Sequence, residues 1–196
     1  MSKILEVRLE KFELDMASDV SRRRQESSKK KGDKDVAGYN SKTLAADKDA
    51  LESGRSEIAV CKRFGIYFDG SVDTYGIPDA LFGTLDIKRC RNENEPKLIV
   101  RPWDEQKPDC AMVSVTGENG VYKIHGWQMR SWIIDNIKSS APDPSRPPAK
   151  VCYSKDFRPL SELVRYVADG LQTNFLEIIQ ELKAEEEIEE AAVANG

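Results

Sequence analysis

Asp79, Asp86 and Lys88 are the residues of this chain whose types and spacing most readily do chemistry. Pro78-Asp79 is followed, after six intervening residues, by Asp86-Ile87-Lys88, and Gly83 lies between them. On a β-hairpin turned at Gly83, two carboxylates and a lysine at this spacing can share one face and hold a divalent metal against a phosphate. Strand side chains alternate between faces, which predicts Asp86 and Lys88 on one side and Leu85 and Ile87 in a core. Asp79 is expected on the preceding strand, across the turn from Asp86. That is the layout of a metal-dependent nuclease.

The chemistry follows from the ion. Mg²⁺ or Mn²⁺ takes oxygen ligands, keeps several waters, and is usually held by one or two carboxylates together with substrate phosphate. Asp79 and Asp86 offer the pair, and the backbone carbonyl of Ile87 could add a third oxygen. A bound metal lowers the pKa of its water and offsets charge developing on the phosphodiester. Lys88 can hold that water and stabilise the pentavalent transition state. Glu57, on a helix earlier in the chain, could reach the site as an outer ligand or through a water. The bland alternative is a surface hairpin carrying a lysine–carboxylate pair that contributes little to stability.

The elements that must position these residues can be read from periodicity. Residues 4–9 alternate as a short strand, and a helical pattern runs from Glu10 to about Ser28. Gly32 to about Ala46 reads as a loop. A second helix is predicted from Asp47 to Phe64, with Leu51, Gly54, Ile58, Cys61 and Gly65 as a buried stripe and Glu57 at its margin. Strands are expected at 80–81, 84–90, 97–101, 110–115 and 121–127. The last two flank Thr116-Gly117-Glu118-Asn119-Gly120, a hairpin signal. Helices should follow over 128–139, within 155–167 and over 171–192. The fold class is α/β or α+β around a small mixed sheet. The division expected is a domain over 1–140, a proline-rich linker with a short helix over 141–170, and an acidic helix over 171–196.

The run from Arg55-Ser56-Glu57 through Pro78-Asp79 to Leu85-Asp86-Ile87-Lys88 resembles the PD-(D/E)xK nuclease superfamily. The continuation Leu98 to Asp104, then Ala111 to Gly117 and Ile124 to Trp127, is similar to small phage-encoded members. This resemblance covers roughly residues 5–138. It implies a restriction-endonuclease-like αβββαβ core and Mg²⁺-dependent cleavage of DNA. It also implies Asp79 and Asp86 as metal ligands, Lys88 as the catalytic lysine and Glu57 as the helix acid. Aspartate stands at position 86 where glutamate is commoner, which shortens the reach by one methylene. The alternative is a DNA- or protein-binding module that retains the nuclease fold without cutting.

Other features have more than one reading. Arg22-Arg23-Arg24 and Lys29-Lys30-Lys31 could contact a phosphate backbone, serve as a nuclear-localisation-like tract, or form a solvated helix face. Arg101 could grip DNA or pair with Asp104. His125, the sole histidine, is a proton donor or a sheet-face residue. Trp127 and Trp132 are most simply core residues. Four widely spaced cysteines with no C-x-x-C pair argue for reduced, buried thiols rather than a zinc site.

Net charge is −4, yet residues 171–196 carry seven glutamates and one lysine, which leaves the rest of the chain near +2. The body is therefore not too acidic for a DNA partner. The tail could pack on the domain or form a homodimer. No run of 18 apolar residues and no secretory signal is visible, so a cytoplasmic location without a membrane partner is expected.

Overall fold

The computed structural model describes residues 4–31, 44–68, 70–72, 80, 83–140 and 147–170. Its elements, in order, are β1 (Leu5–Arg8), α1 (Lys11–Lys31), α2 (Leu44–Phe64), β2 (Leu85–Arg89), β3 (Lys97–Val100), β4 (Ala111–Glu118), β5 (Val121–Met129), α3 (Arg130–Asn136) and β6 (Lys150–Tyr153). A further helical run, α4, covers 160–170. The chain forms two compact units, Met1–Leu160 and Ser161–Gly196. The fold is thus mixed α and β. The acidic helix expected over 171–196 lies outside the described residues.

The main sheet has the order β1-β5-β4-β2. β1 and β4 both run antiparallel to β5, and β2 runs parallel to β4, which makes the sheet mixed. β5 follows β4 through a tight turn at Asn119-Gly120, where both residues have positive φ (57° and 87°). Asn-Gly tolerates that geometry better than any ordinary pair, and it matches the twist of the flanking strands. The turn is therefore shorter than the five residues expected, and the strands run on to Glu118 and from Val121.

α1 and α2 pack antiparallel: Lys62 pairs with Glu13 at 2.8 Å, while Ser21 Oγ donates to the Ala50 carbonyl at 3.3 Å. Gly54 makes this approach possible, since a Cβ there would lie 2.9 Å from Ser21 Oγ. α2 lies against β2. A core cluster of Leu98, Val100, Cys110, Met112, Ile133 and Cys152 joins β3, β4, α3 and β6, with Trp132, Ile137 and Phe157 packed on it. All four cysteines are free and buried.

Three local expectations differ from the structure. The helix read over 128–139 starts only at Arg130, because Gln128 and Met129 still pair with Met112 and Ala111 in the sheet. β6 was hidden in sequence behind the proline-rich run. It pairs with β3 and belongs to the first unit. The expected linker is closed at its base, where Ser140 and Ala149 exchange backbone hydrogen bonds of 2.9 and 2.8 Å. Residues 141–146 between them lie outside the described residues.

Candidate active site

β2 brings the acid-x-lysine pair into the sheet rather than onto a surface hairpin. Its first three residues, Leu85, Asp86 and Ile87, are all buried, so both faces of the strand are covered. Gly83 (φ 82°) lies in the tight turn just before it. Ala80, the neighbour of Asp79 in sequence, exchanges backbone hydrogen bonds with Leu85, the neighbour of Asp86. Asp79 itself lies outside the described residues.

Asp86 is 4% exposed, and a carboxylate so buried needs partners. Its Oδ1 lies 2.8 Å from Lys88 Nζ, two residues along the same strand. Its Oδ2 accepts from Arg130 Nη2, also at 2.8 Å. Arg130 was not foreseen from the sequence. The sheet explains its position: Ala111 of β4 pairs with Leu85 on one side and with Met129 on the other. Met129 thus lies across β4 from Leu85, and Arg130, one residue further on at the start of α3, sits at the Cys110 end of β4 with its side chain reaching Asp86. Arg130 is 2% exposed, and Nη1 donates to the Pro108 carbonyl. Its Nε is buried and has no hydrogen-bond partner.

Glu57 comes from α2 and is 5% exposed, well inside the buried face rather than at its margin. Arg24 Nη1 lies 2.9 Å from both of its carboxylate oxygens, and Arg24 Nε donates to the Ser71 carbonyl at 2.9 Å. Burial pushes the Glu57 carboxyl above its ordinary range, Arg24 and Lys88 pull it down, and the charge on Asp86 raises it again. Glu57, Asp86 and Lys88 thus share one electrostatic neighbourhood. Cys110 borders it, with its thiol raised to about 12, chiefly by burial and then by Asp86. At that value it is a neutral core residue.

The remaining candidates lie elsewhere. Arg22 pairs with Asp19 and Glu26, and Arg23 with Asp19, on the exposed part of α1. Arg24 is turned inward to Glu57. Arg101 does not use its guanidinium on Asp104. That carboxylate instead accepts from the Arg101 backbone N–H and pairs with Lys107, while the guanidinium sits 5.7 Å from the Trp103 ring centre. His125 is buried at an irregularity in β5, where the register passes from Ser114↔Gly126 to Val115↔Ile124 and leaves it as the extra residue. His125 Nε2 and Thr116 Oγ1 are hydrogen-bonded at 2.7 Å. Trp127 is a core residue whose Nε1 donates to the Pro159 carbonyl at 3.0 Å.

A second buried carboxylate also escaped the sequence. Glu52 of α2, 1% exposed, accepts from the Tyr122 hydroxyl and the Asn119 backbone N–H, and pairs with Arg55 at 2.8 Å. It ties the β4–β5 hairpin to the helix that carries Glu57. A cleft of about 460 Å³ near the far end of β2 is lined by Lys48, Asp49, Arg89, Arg91 and Glu118, whose charges pair with one another.

No protein-family model, curated protein or solved structure matches this chain.

Among the described residues, no three or more His, Cys, Asp or Glu side chains are grouped to hold a metal. Asp86 and Glu57 are hard oxygen donors of the kind Mg²⁺ or Mn²⁺ prefers, but the oxygens of Asp86 are taken by Lys88 and Arg130 and both of those of Glu57 by Arg24. Among the described residues, no helix is long and apolar enough to cross a membrane.

Proposed function

We propose that this chain is a metal-dependent DNA nuclease of the PD-(D/E)xK type, with Asp79, Asp86, Lys88 and Glu57 at its site. The observation that supports the reading is the burial of Asp86 with the lysine two residues on paired to it. A buried helix acid of α2, Glu57, 29 positions earlier, lies close enough to feel the charges of both. A chance surface motif has no reason to be buried or to meet a helix carboxylate.

In this reading Asp86 and Asp79 hold a divalent ion, aided by the Ile87 carbonyl, and Glu57 acts from the next shell. The ion would supply an activated water and charge neutralisation at the phosphodiester. Lys88 is more exposed than Asp86 and Glu57, at 39% of its side chain, and can turn its ammonium from Asp86 to the phosphoryl oxygens. Arg22 and Arg23 remain available to phosphate at the cost of weak surface pairs. A phage-encoded origin, a homodimer through the tail and a cytoplasmic location belong to the same proposal.

One observation favours the second reading, a binding module that no longer cuts: Asp86 and Glu57 each carry an arginine at hydrogen-bond distance. Calorimetry on Asp86→Asn separates the two. The nuclease reading expects wild-type Mn²⁺ binding that the variant loses, and full affinity in the variant removes Asp86 from the site.

A further inference from the structure

The two-stranded sheet of β3 and β6 has one face that the core does not use. Leu98, Val100 and Cys152 point into the core and are fully buried. Alternation therefore turns Lys97, Ile99, Val151 and Tyr153 to the other side. All four keep some exposure, and Tyr153 is 38% exposed. They form two cross-strand pairs, Lys97 opposite Tyr153 and Ile99 opposite Val151. The backbone is still extended at Arg101 (φ −96°, ψ 162°), so its side chain continues on this outer face. There it lies 5.7 Å over the ring of Trp103, itself 37% exposed. An aromatic ring thus stands at each end of an aliphatic strip, with a cation beside each.

We propose that this face is a platform for single-stranded nucleic acid, whose bases stack on Tyr153 and on the Arg101–Trp103 pair. Stacking on an exposed ring accepts any base, and an arginine over the ring adds to it. The charge favours a polyanion. The acids that flank β3 in sequence are each matched by a lysine: Glu95 by Lys97 at 3.3 Å, Asp104 by Lys107 at 2.6 Å and Glu105 by Lys150 at 3.8 Å. Among the described residues the Arg101 guanidinium meets no carboxylate, only the Pro147 carbonyl and the Trp103 ring. Its charge is left over for phosphate. Size argues against a second folded chain as the occupant. Two four-residue strands make a face of roughly 13 by 10 Å, far below the ~800 Å² that each partner of a stable complex covers. The platform lies on a different sheet from Asp86 and Lys88, and the proposal stands whether or not the chain cuts.

The test is fluorescence anisotropy of a labelled oligo-dT strand of about fifteen nucleotides, in EDTA and low salt, so that cutting plays no part. Wild type should bind it. An abasic strand of the same length, with the phosphates but no bases, should bind at least about ten-fold more weakly. Trp103→Ala and Tyr153→Ala should each lose at least about five-fold in affinity, and Trp103→Phe should recover most of that loss. Phe12→Ala, at an exposed aromatic of α1, should bind as wild type does. No binding by wild type, equal binding of the abasic strand, or an affinity unmoved by Trp103→Ala and Tyr153→Ala overturns the proposal. So does a dimer in sedimentation that Tyr153→Ala dissociates, since a second copy would then cover the face. Should neither alanine variant fold, the abasic comparison on wild type decides alone. A wild type that binds as expected yet never cuts with any metal removes the nuclease reading and leaves this one standing.

Discussion

At single residues, what burial does to charge governs the site. A carboxylate as enclosed as Asp86 has a cation at each oxygen, and removing the partner of a buried charge leaves a costly orphan. Lys88→Ala should lower metal-dependent cleavage by about 10²–10³-fold, the usual cost of losing one transition-state donor. Its thermal stability should change little, because Arg130 still faces Asp86. Rate and melting temperature measured together check this. His125 gives a pH signature of a different kind. Burial lowers its pKa from 6.5 despite the nearby charge of Glu93. The unfolded chain therefore takes up a proton more readily than the folded one. Stability should fall as pH drops below about 6.5, with a slope of at most about 1.4 kcal/mol per pH unit from this group. Urea unfolding between pH 7 and pH 5 reads the slope, and His125→Phe should remove that part of it. Asp86-x-Lys88 was legible because residue type and short spacing carry the signal, whereas Glu57, 29 positions earlier, was marked only by its place on a predicted helix. Arg130 was not, since only the pairing of β5 with β4 brings it to Asp86.

Elements position these residues through local rules that the sequence carries well and tertiary closures that it carries poorly. α1, α2, β2, β3 and the β4–β5 hairpin were readable from periodicity and from Asn119-Gly120. β6 was not, because four residues behind a proline-rich run become a strand only when β3 offers an edge. The Glu52 network was equally silent. Glu52 looks like any helix glutamate until Tyr122 and the hairpin turn close over it. Tyr122→Phe leaves the Glu52 carboxylate short of a buried donor and should destabilise the fold by about 1–3 kcal/mol. Chemical denaturation gives that number, and a change below ~0.5 kcal/mol would mean that Glu52 finds water instead. Because α2 carries both Glu52 and Glu57, a loosened hairpin should also lower nuclease turnover.

For the whole molecule, the central claim is that this mixed fold assembles an acid–lysine–acid site for a metal and a phosphodiester. The class of fold was legible from the order of its elements. Its functional assignment rests on the resemblance of a few residues and on their meeting in space. The most direct test is cleavage of supercoiled plasmid and single-stranded DNA with Mg²⁺, Mn²⁺ or EDTA, run beside Lys88→Ala. Cutting should require the metal and disappear in the variant. A folded wild type that cuts nothing with any metal, or a variant that cuts as well as wild type, would contradict it.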